Sequence, residues 1–283
     1  MPAHQTIARP RARPRARLRP RLGATRAADG WTMLRLVLVG GLDPGTGAGV
    51  ARDLLTAASL AVGSIVVGTA WTEQDATAVR TVEPRDPGRV RASLAAALAR
   101  TGESGSAMKI GMVATGAIAQ AILEASASFG GPIVYDPVLR ASSGGSLYDG
   151  DREAILALAR RATLVTPNLD EAAWLLGRPV QAESDARQAA RDLHALGMGG
   201  VLVKGGHLAG AATDVLFSSA GEQLLSCPRS PGSSPRGTGC ALATAIAVEL
   251  ARGQPLDAAV ATAKAWLAKR IEAATTVGDE RHL

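Results

Sequence analysis

The sequence predicts an α/β fold, with a mostly parallel central sheet and helices on both faces. Three observations carry this reading. Short β-rich runs alternate with Ala-rich helical stretches along the chain. The runs are continuously apolar rather than alternating, which marks strands buried on both faces. The strand-then-helix order repeats at a spacing of roughly 25–35 residues, as βαβ units do.

The expected strands are Leu34–Val39, Ser64–Thr69, Met108–Met112, Ile133–Asp136, Leu164–Thr166 and Val201–Lys204. Helical stretches cover 48–62, 88–100, 115–128, 151–161, 168–176 and 183–196. A hairpin of Thr213–Phe217 and Gln223–Ser226 turns near Gly221, and helices over 238–251 and 256–273 follow. No internal repeat or linker divides this body. One domain is therefore expected over 33–275, with a leader over 1–32 and a short tail over 276–283.

The chain has 283 residues, 47% of them hydrophobic, enough for one large core. No apolar run approaches the ~18 residues of a membrane span. Two cysteines, Cys227 and Cys240, make no disulfide framework and fit a reducing, cytoplasmic setting. His4, His194, His207 and His282 are too scattered for a zinc cluster.

A net charge of +6 and a pI of 10.0 suggest nucleic acid at first sight. The distribution of charge removes that reading. Residues 1–30 hold eight arginines and one acid, Asp29, which leaves 23 basic and 24 acidic residues for the body. The pI thus describes the tail and not a binding face. With 3% aromatic residues, no base-stacking platform is visible. In the tail, Arg alternates with Pro and Ala, which forbids helix and offers nothing to bury. No apolar segment follows it, so it is no secretory signal. It reads as a disordered leader, or as sequence ahead of a natural start at Met33.

Two glycine-bearing segments carry the chemistry. Arg236-Gly237-Thr238-Gly239-Cys240 opens a strongly helical stretch. Free N–H groups and the dipole at a helix start attract anions, and glycines allow close approach. A thiol in that field is expected to have a lowered pKa, which favours proton acceptance. The alternative is a plain helix-entry turn with a small core cysteine. Earlier, Gly40-Gly41-Leu42-Asp43-Pro44-Gly45-Thr46-Gly47-Ala48-Gly49 joins a strand to a helix bearing Asp53. Its spacing matches neither a dinucleotide fingerprint nor a Walker A loop. It reads as a loop that lets a flat ligand lie against backbone, with Asp53 facing it, or as a tight turn with a surface Asp53.

In order along the chain stand Gly41-Leu42-Asp43-Pro44, Gly47-Ala48-Gly49 with Asp53, and Thr69-Ala70 with Gln74. Lys109-Ile110-Gly111-Met112, Asp136-Pro137-Val138 with Ser143-Gly144, and Thr166-Pro167-Asn168-Leu169 with Glu171 come next. Val203-Lys204-Gly205-Gly206-His207, Asp214 and Gly237-Thr238-Gly239-Cys240 complete the series. Together these resemble the hydroxymethylpyrimidine/phosphomethylpyrimidine kinases of thiamine biosynthesis, within the ribokinase-like superfamily. The resemblance runs from about Leu36 to about Arg270.

The resemblance implies a ribokinase-like fold, ATP and Mg²⁺ as cofactors, a pyrimidine alcohol as substrate and a homodimer. It implies that Cys240 takes the proton of the attacking hydroxymethyl group, with Gly237, Thr238 and Gly239 holding the phosphoryl oxygens. Gln74, Asp53, Gly41 and Met112 would form the substrate pocket. Lys204, Asn168 and Arg236 would meet the nucleotide, and Asp136 and Glu171 the metal. Such transfer needs mainly positioning and charge neutralisation.

Departures are visible. The family has His where Arg236 stands, and Thr and Ser where Ala241 and Ala243 stand. It has Ser-Gly at Gly45-Thr46 and Asn at Asp75. Arg236 would partly compensate for lost hydroxyls as a cation near phosphates. A pyridoxal or pyridoxine kinase, and a pyrimidine-binding pseudo-kinase, are the alternatives.

Overall fold

The structure, a computed structural model, describes residues 24–27, 30–45, 47–75, 77–101, 105–141, 143–206, 212–227, 235–277 and 280–283. The Arg/Pro-rich segment through residue 23, Thr46, His207 and loop residues 228–234 lie outside the described residues. At the two junctions between the expected body and its leader and tail, the described residues form two small antiparallel hairpins. These are β1 (Ala24–Ala27) with β2 (Gly30–Met33), and β12 (Thr275–Val277) with β13 (Glu280–His282).

The main sheet is built from β3 (Arg35–Leu42), β4 (Gly63–Gln74), β5 (Val79–Pro84), β6 (Ser106–Ile110) and β7 (Ile133–Tyr135). It continues with β8 (Leu164–Val165), β9 (Gly200–Val203), β10 (Ala212–Ser218) and β11 (Gly221–Cys227). Their spatial order is β11-β10-β9-β8-β7-β6-β3-β4-β5. The six strands from β4 to β9 in that order run parallel. Antiparallel strands close both edges: β5 on β4, then β10 and β11 beyond β9.

Alternation along each central strand divides the core in two. Val37, Val39, Met108 and Ile110 join one apolar cluster. It lies under α2 (Pro87–Leu98), α3 (Gly116–Ala125), α4 (Arg152–Arg161), α5 (Leu169–Leu176) and α6 (Glu183–Ala195). Leu36, Leu38 and Ala107 point the other way, toward α1 (Gly49–Ser59), α7 (Thr238–Ala251) and α8 (Leu256–Glu272). From Cys240 to Glu249 every residue of α7 is buried. A helix that small and apolar all round belongs inside a layer, not on it. Among the described residues no helix is long and apolar enough to cross a membrane.

Two features differ from the sequence reading. β4 runs on to Gln74, and β5 pairs with it. β5 carries no continuous apolar run because its side chains are half-buried or exposed at the sheet edge. The hydrophobic period that marks central strands is therefore missing there.

Candidate active site

Parallel strands that enter the sheet in one direction deliver their C-terminal ends to one rim, where open α/β sheets bind ligands. Here that rim gathers Gly41 on β3, Met112 after β6, Asp136 after β7, Asn168 after β8 and Lys204 after β9. The start of α7 faces it. A Cβ on Gly239 would lie 3.3 Å from Nζ of Lys204 and 3.7 Å from Oδ2 of Asp136. The structure thus brings Gly239, Lys204 and Asp136 together.

The two glycine-bearing loops touch. Gly237, which caps α7, has φ of 76°, and a Cβ there would meet the carbonyl oxygen of Gly47 at 2.3 Å. Only glycine fits both demands. A Cβ on Gly47 would in turn stand 3.0 Å from Nη1 of Arg236. Nη2 of Arg236 lies 3.6 Å from Oδ2 of Asp43, whose carboxylate also accepts the N–H groups of Gly45 (2.9 Å) and Ala48 (3.1 Å). Arg236 therefore ties the loop that opens α7 to the early loop.

At the centre of the rim, Lys204 Nζ donates to Asp136 Oδ1 at 2.6 Å, and Thr166 Oγ1 donates to the same oxygen at 3.0 Å. Burial alone would raise the Asp136 carboxyl, yet the ammoniums of Lys204 and Lys109 hold it below the usual carboxylate range. Glu171 Oε2 is 3.9 Å from Lys204 Nζ. Burial pushes the Glu171 carboxyl up to about 7, with Lys204 pulling against it. Asn168 and Glu171 form a capping box at the start of α5: Glu171 N–H donates to Asn168 Oδ1, and Asn168 N–H to Glu171 Oε2. The box turns each side chain back onto a backbone N–H at the helix start. Among the described residues no group of three or more His, Cys, Asp or Glu stands ready to hold a metal. Asp136 and Glu171 supply carboxylate oxygens, the hard donors that Mg²⁺ takes, and both are nearly buried.

The residues expected to meet substrate divide. A Cβ on Gly41 would meet Met112 Sδ at 2.6 Å, so these two form one wall. Thr69 Oγ1 donates to the carbonyl of Met112. Gln74 Nε2 donates to Thr72 Oγ1, which donates to the carbonyl of Leu42 beside Gly41. Asp53 does not face this space. It has no exposed surface; its Oδ2 accepts from Lys109 Nζ at 2.7 Å and its Oδ1 from Thr244 Oγ1 at 2.9 Å. This corrects the expected ligand-facing Asp53: the buried ammonium beneath it demands a counter-ion.

Cys240 is buried behind the rim and accepts the N–H of Gly49. Burial pushes its thiol up to about 11. The expected depression is not found, because lost hydration of the thiolate outweighs the nearby Lys109 and the N–H of Gly49.

Lys109, Thr166, Thr72 and Thr244 had no assigned role in the sequence reading. A lysine between Met108 and Ile110 in an apolar strand was the available signal, since lysine is almost never fully buried without a partner. A cleft of ≈ 670 Å³ also opens beside Asn168 and Glu171, walled by Leu139, Arg140, Tyr148 and Trp174. Tyr148 meets Trp174 edge-on, with ring centres 6.0 Å apart.

Comparison with known proteins shows the family. A family described as phosphomethylpyrimidine kinase matches residues 43–283. The hydroxymethylpyrimidine/phosphomethylpyrimidine kinase of Rhizobium meliloti is 40% identical over 242 residues, covering 83% of this chain and 90% of its own. That of Streptomyces coelicolor is 36% identical over 248 residues, covering 86% and 90%. The pyridoxal kinase of Staphylococcus aureus in complex with ADP superimposes with a TM-score of 0.79 at 29% identity, covering 89% of this chain and 93% of the other. With the glycine-capped α7, the paired Asp136 and Lys204 and the Gly41–Met112 wall in place, the chain belongs to the phosphomethylpyrimidine kinase family, a group of ribokinase-like enzymes.

Proposed function

We propose that this kinase transfers the γ-phosphoryl group of ATP to 4-amino-5-hydroxymethyl-2-methylpyrimidine, and then to its monophosphate, in thiamine biosynthesis. The observation that carries the reading is the convergence of Gly239 at the start of α7 with Lys204 and Asp136. The hydroxymethyl oxygen attacks the γ-phosphorus, the bond to the β-phosphate oxygen breaks, ADP leaves, and the alcohol proton passes to the thiolate of Cys240, the minority form of that raised thiol at neutral pH, which becomes the thiol. Backbone N–H groups from Gly237 to Cys240 hold the transferring oxygens, where charge is spread in the transition state. Lys204 and Asn168 meet the nucleotide phosphates. Gln74 offers a donor and an acceptor to the pyrimidine, and Gly41 and Met112 flank its flat face.

Asp136 and Glu171 would hold Mg²⁺ through water, where it neutralises phosphate charge. Arg236, bound to Asp43, steadies the loop beside those phosphates. Leu54 and Leu55 on α1, with Val66 and Trp71 on β4, are exposed apolar side chains that support a homodimer. The free thiol of Cys240 suits the cytoplasm.

A coupled ADP-release assay with the pyrimidine alcohol and with pyridoxal tests the substrate. The S. aureus fold match motivates the pyridoxal arm. Faster turnover of the pyrimidine is expected, and faster turnover of pyridoxal would reject it. Cys240→Ala should keep ligand affinity by calorimetry while kcat falls about 10²–10⁴-fold. An unchanged kcat would remove Cys240 from the chemistry.

A further inference from the structure

Lys109 stands on β6 and shares the face of Ala107, toward α1 and α7. Its side chain is 1% exposed and that of Asp53 is 0% exposed, with 2.7 Å between their charged atoms. Thr244, whose hydroxyl donates to the other oxygen of Asp53, lies four residues after Cys240. That spacing is one helical turn, so both side chains leave α7 on the same face. Space around the ammonium is tight: a Cβ on Gly111 would come within 2.8 Å of Lys109 Nζ. One strand and two helices therefore meet through a single buried ion pair, directly behind the rim.

We propose that Lys109 and Asp53 are positioning residues for Cys240, locking the first turns of α7 through Thr244 and setting the balance of charge around its thiol. The inference rests on the reading of Cys240 as proton acceptor. The charged groups felt by the sulfur are Lys109 from β6, Asp53 and Arg52 from α1, Asp136 beyond β7 and Lys204 beyond β9. Lys109 favours the thiolate, whereas Asp53 and Asp136 oppose it. The two members of one ion pair thus act on the thiol with opposite sign. A scaffold role alone has no such signature, since loss of either partner would loosen the same contact.

The test is the pH dependence of iodoacetamide alkylation at Cys240, read by peptide mass on the full-length protein without substrate. Lys109→Met should move the midpoint up by about one pH unit and Asp53→Asn should move it down. The double variant should fall between them. If Lys109→Met does not fold, Asp53→Asn decides alone: an upward or absent shift overturns the proposal. Thr244→Val should lower kcat several-fold with both KM values nearly unchanged. Shifts of the same sign in both single variants would overturn the pair's role. So would an Asp53→Asn variant whose only defect is a raised KM for the alcohol. Because alkylation needs no turnover, it stands apart from the substrate assay, whose failure would strike the functional reading instead.

Discussion

Lys204 Nζ lies 2.6 Å from Asp136 Oδ1 and 3.9 Å from Glu171 Oε2, so one ammonium serves two carboxylates, one just after β7 and one in the first turn of α5. All three side chains are largely withdrawn from water. In this geometry Lys204 is both structural and electrostatic. Its charge holds the Asp136 carboxyl down and pulls against the rise that burial imposes on Glu171.

Lys204→Met removes that cation and strands the buried Asp136. Breaking such a pair costs about 3 kcal/mol of stability, and loss of a phosphoryl-stabilising charge lowers kcat about 10²-fold. Thermal melts and steady-state kinetics read the two effects separately. Asp136→Asn should share the kinetic defect. A stable Lys204→Met variant with wild-type kcat would deny the residue both roles.

Glu171 makes stability depend on pH in an unusual direction for a carboxyl. Its folded pKa, near 7, exceeds its ordinary value of 4.5, so the folded protein holds a proton that the unfolded chain releases. Between those two values its contribution falls as pH rises, by up to about 1.4 kcal/mol per unit. Urea unfolding from pH 4.5 to 7.5 should show this slope in the wild type and a flatter one in Glu171→Gln. Identical slopes would count against a raised Glu171.

Gly237→Ala tests the seam between the two loops. The new Cβ would sit at positive φ and press on the backbone carbonyl of Gly47, which has no flexible end to yield. About 1–2 kcal/mol is expected from the conformation alone, with more from displacement of the loop. kcat should fall more than tenfold, because the same residue aims the first N–H groups of α7. Calorimetric unfolding and turnover check both. A neutral substitution would mean that the loops part freely.

Several elements were plain in the sequence for one physical reason. Strands buried on both faces, such as β3, must be apolar throughout, and α7 must be small and apolar all round. Their composition states their place. The box of Asn168 and Glu171 is local as well, since its bonds span three residues. β5 was not legible, because an exposed edge strand carries no apolar period.

What sequence by itself determined was the order of elements, the glycine positions and the family that their spacing resembles. Only the tertiary structure decided how those residues use their charges. Lys109 and Asp53 are 56 residues apart, and Thr244 is 191 residues beyond Asp53. No local pattern links them. Their pairing follows from strand alternation, which turns Lys109 toward α1 and α7, and from burial, which obliges it to find an anion. The same burial decides Cys240. A helix start favours a thiolate by a field that any sequence reader can see, whereas the loss of hydration that opposes it depends on how completely the surrounding layers close.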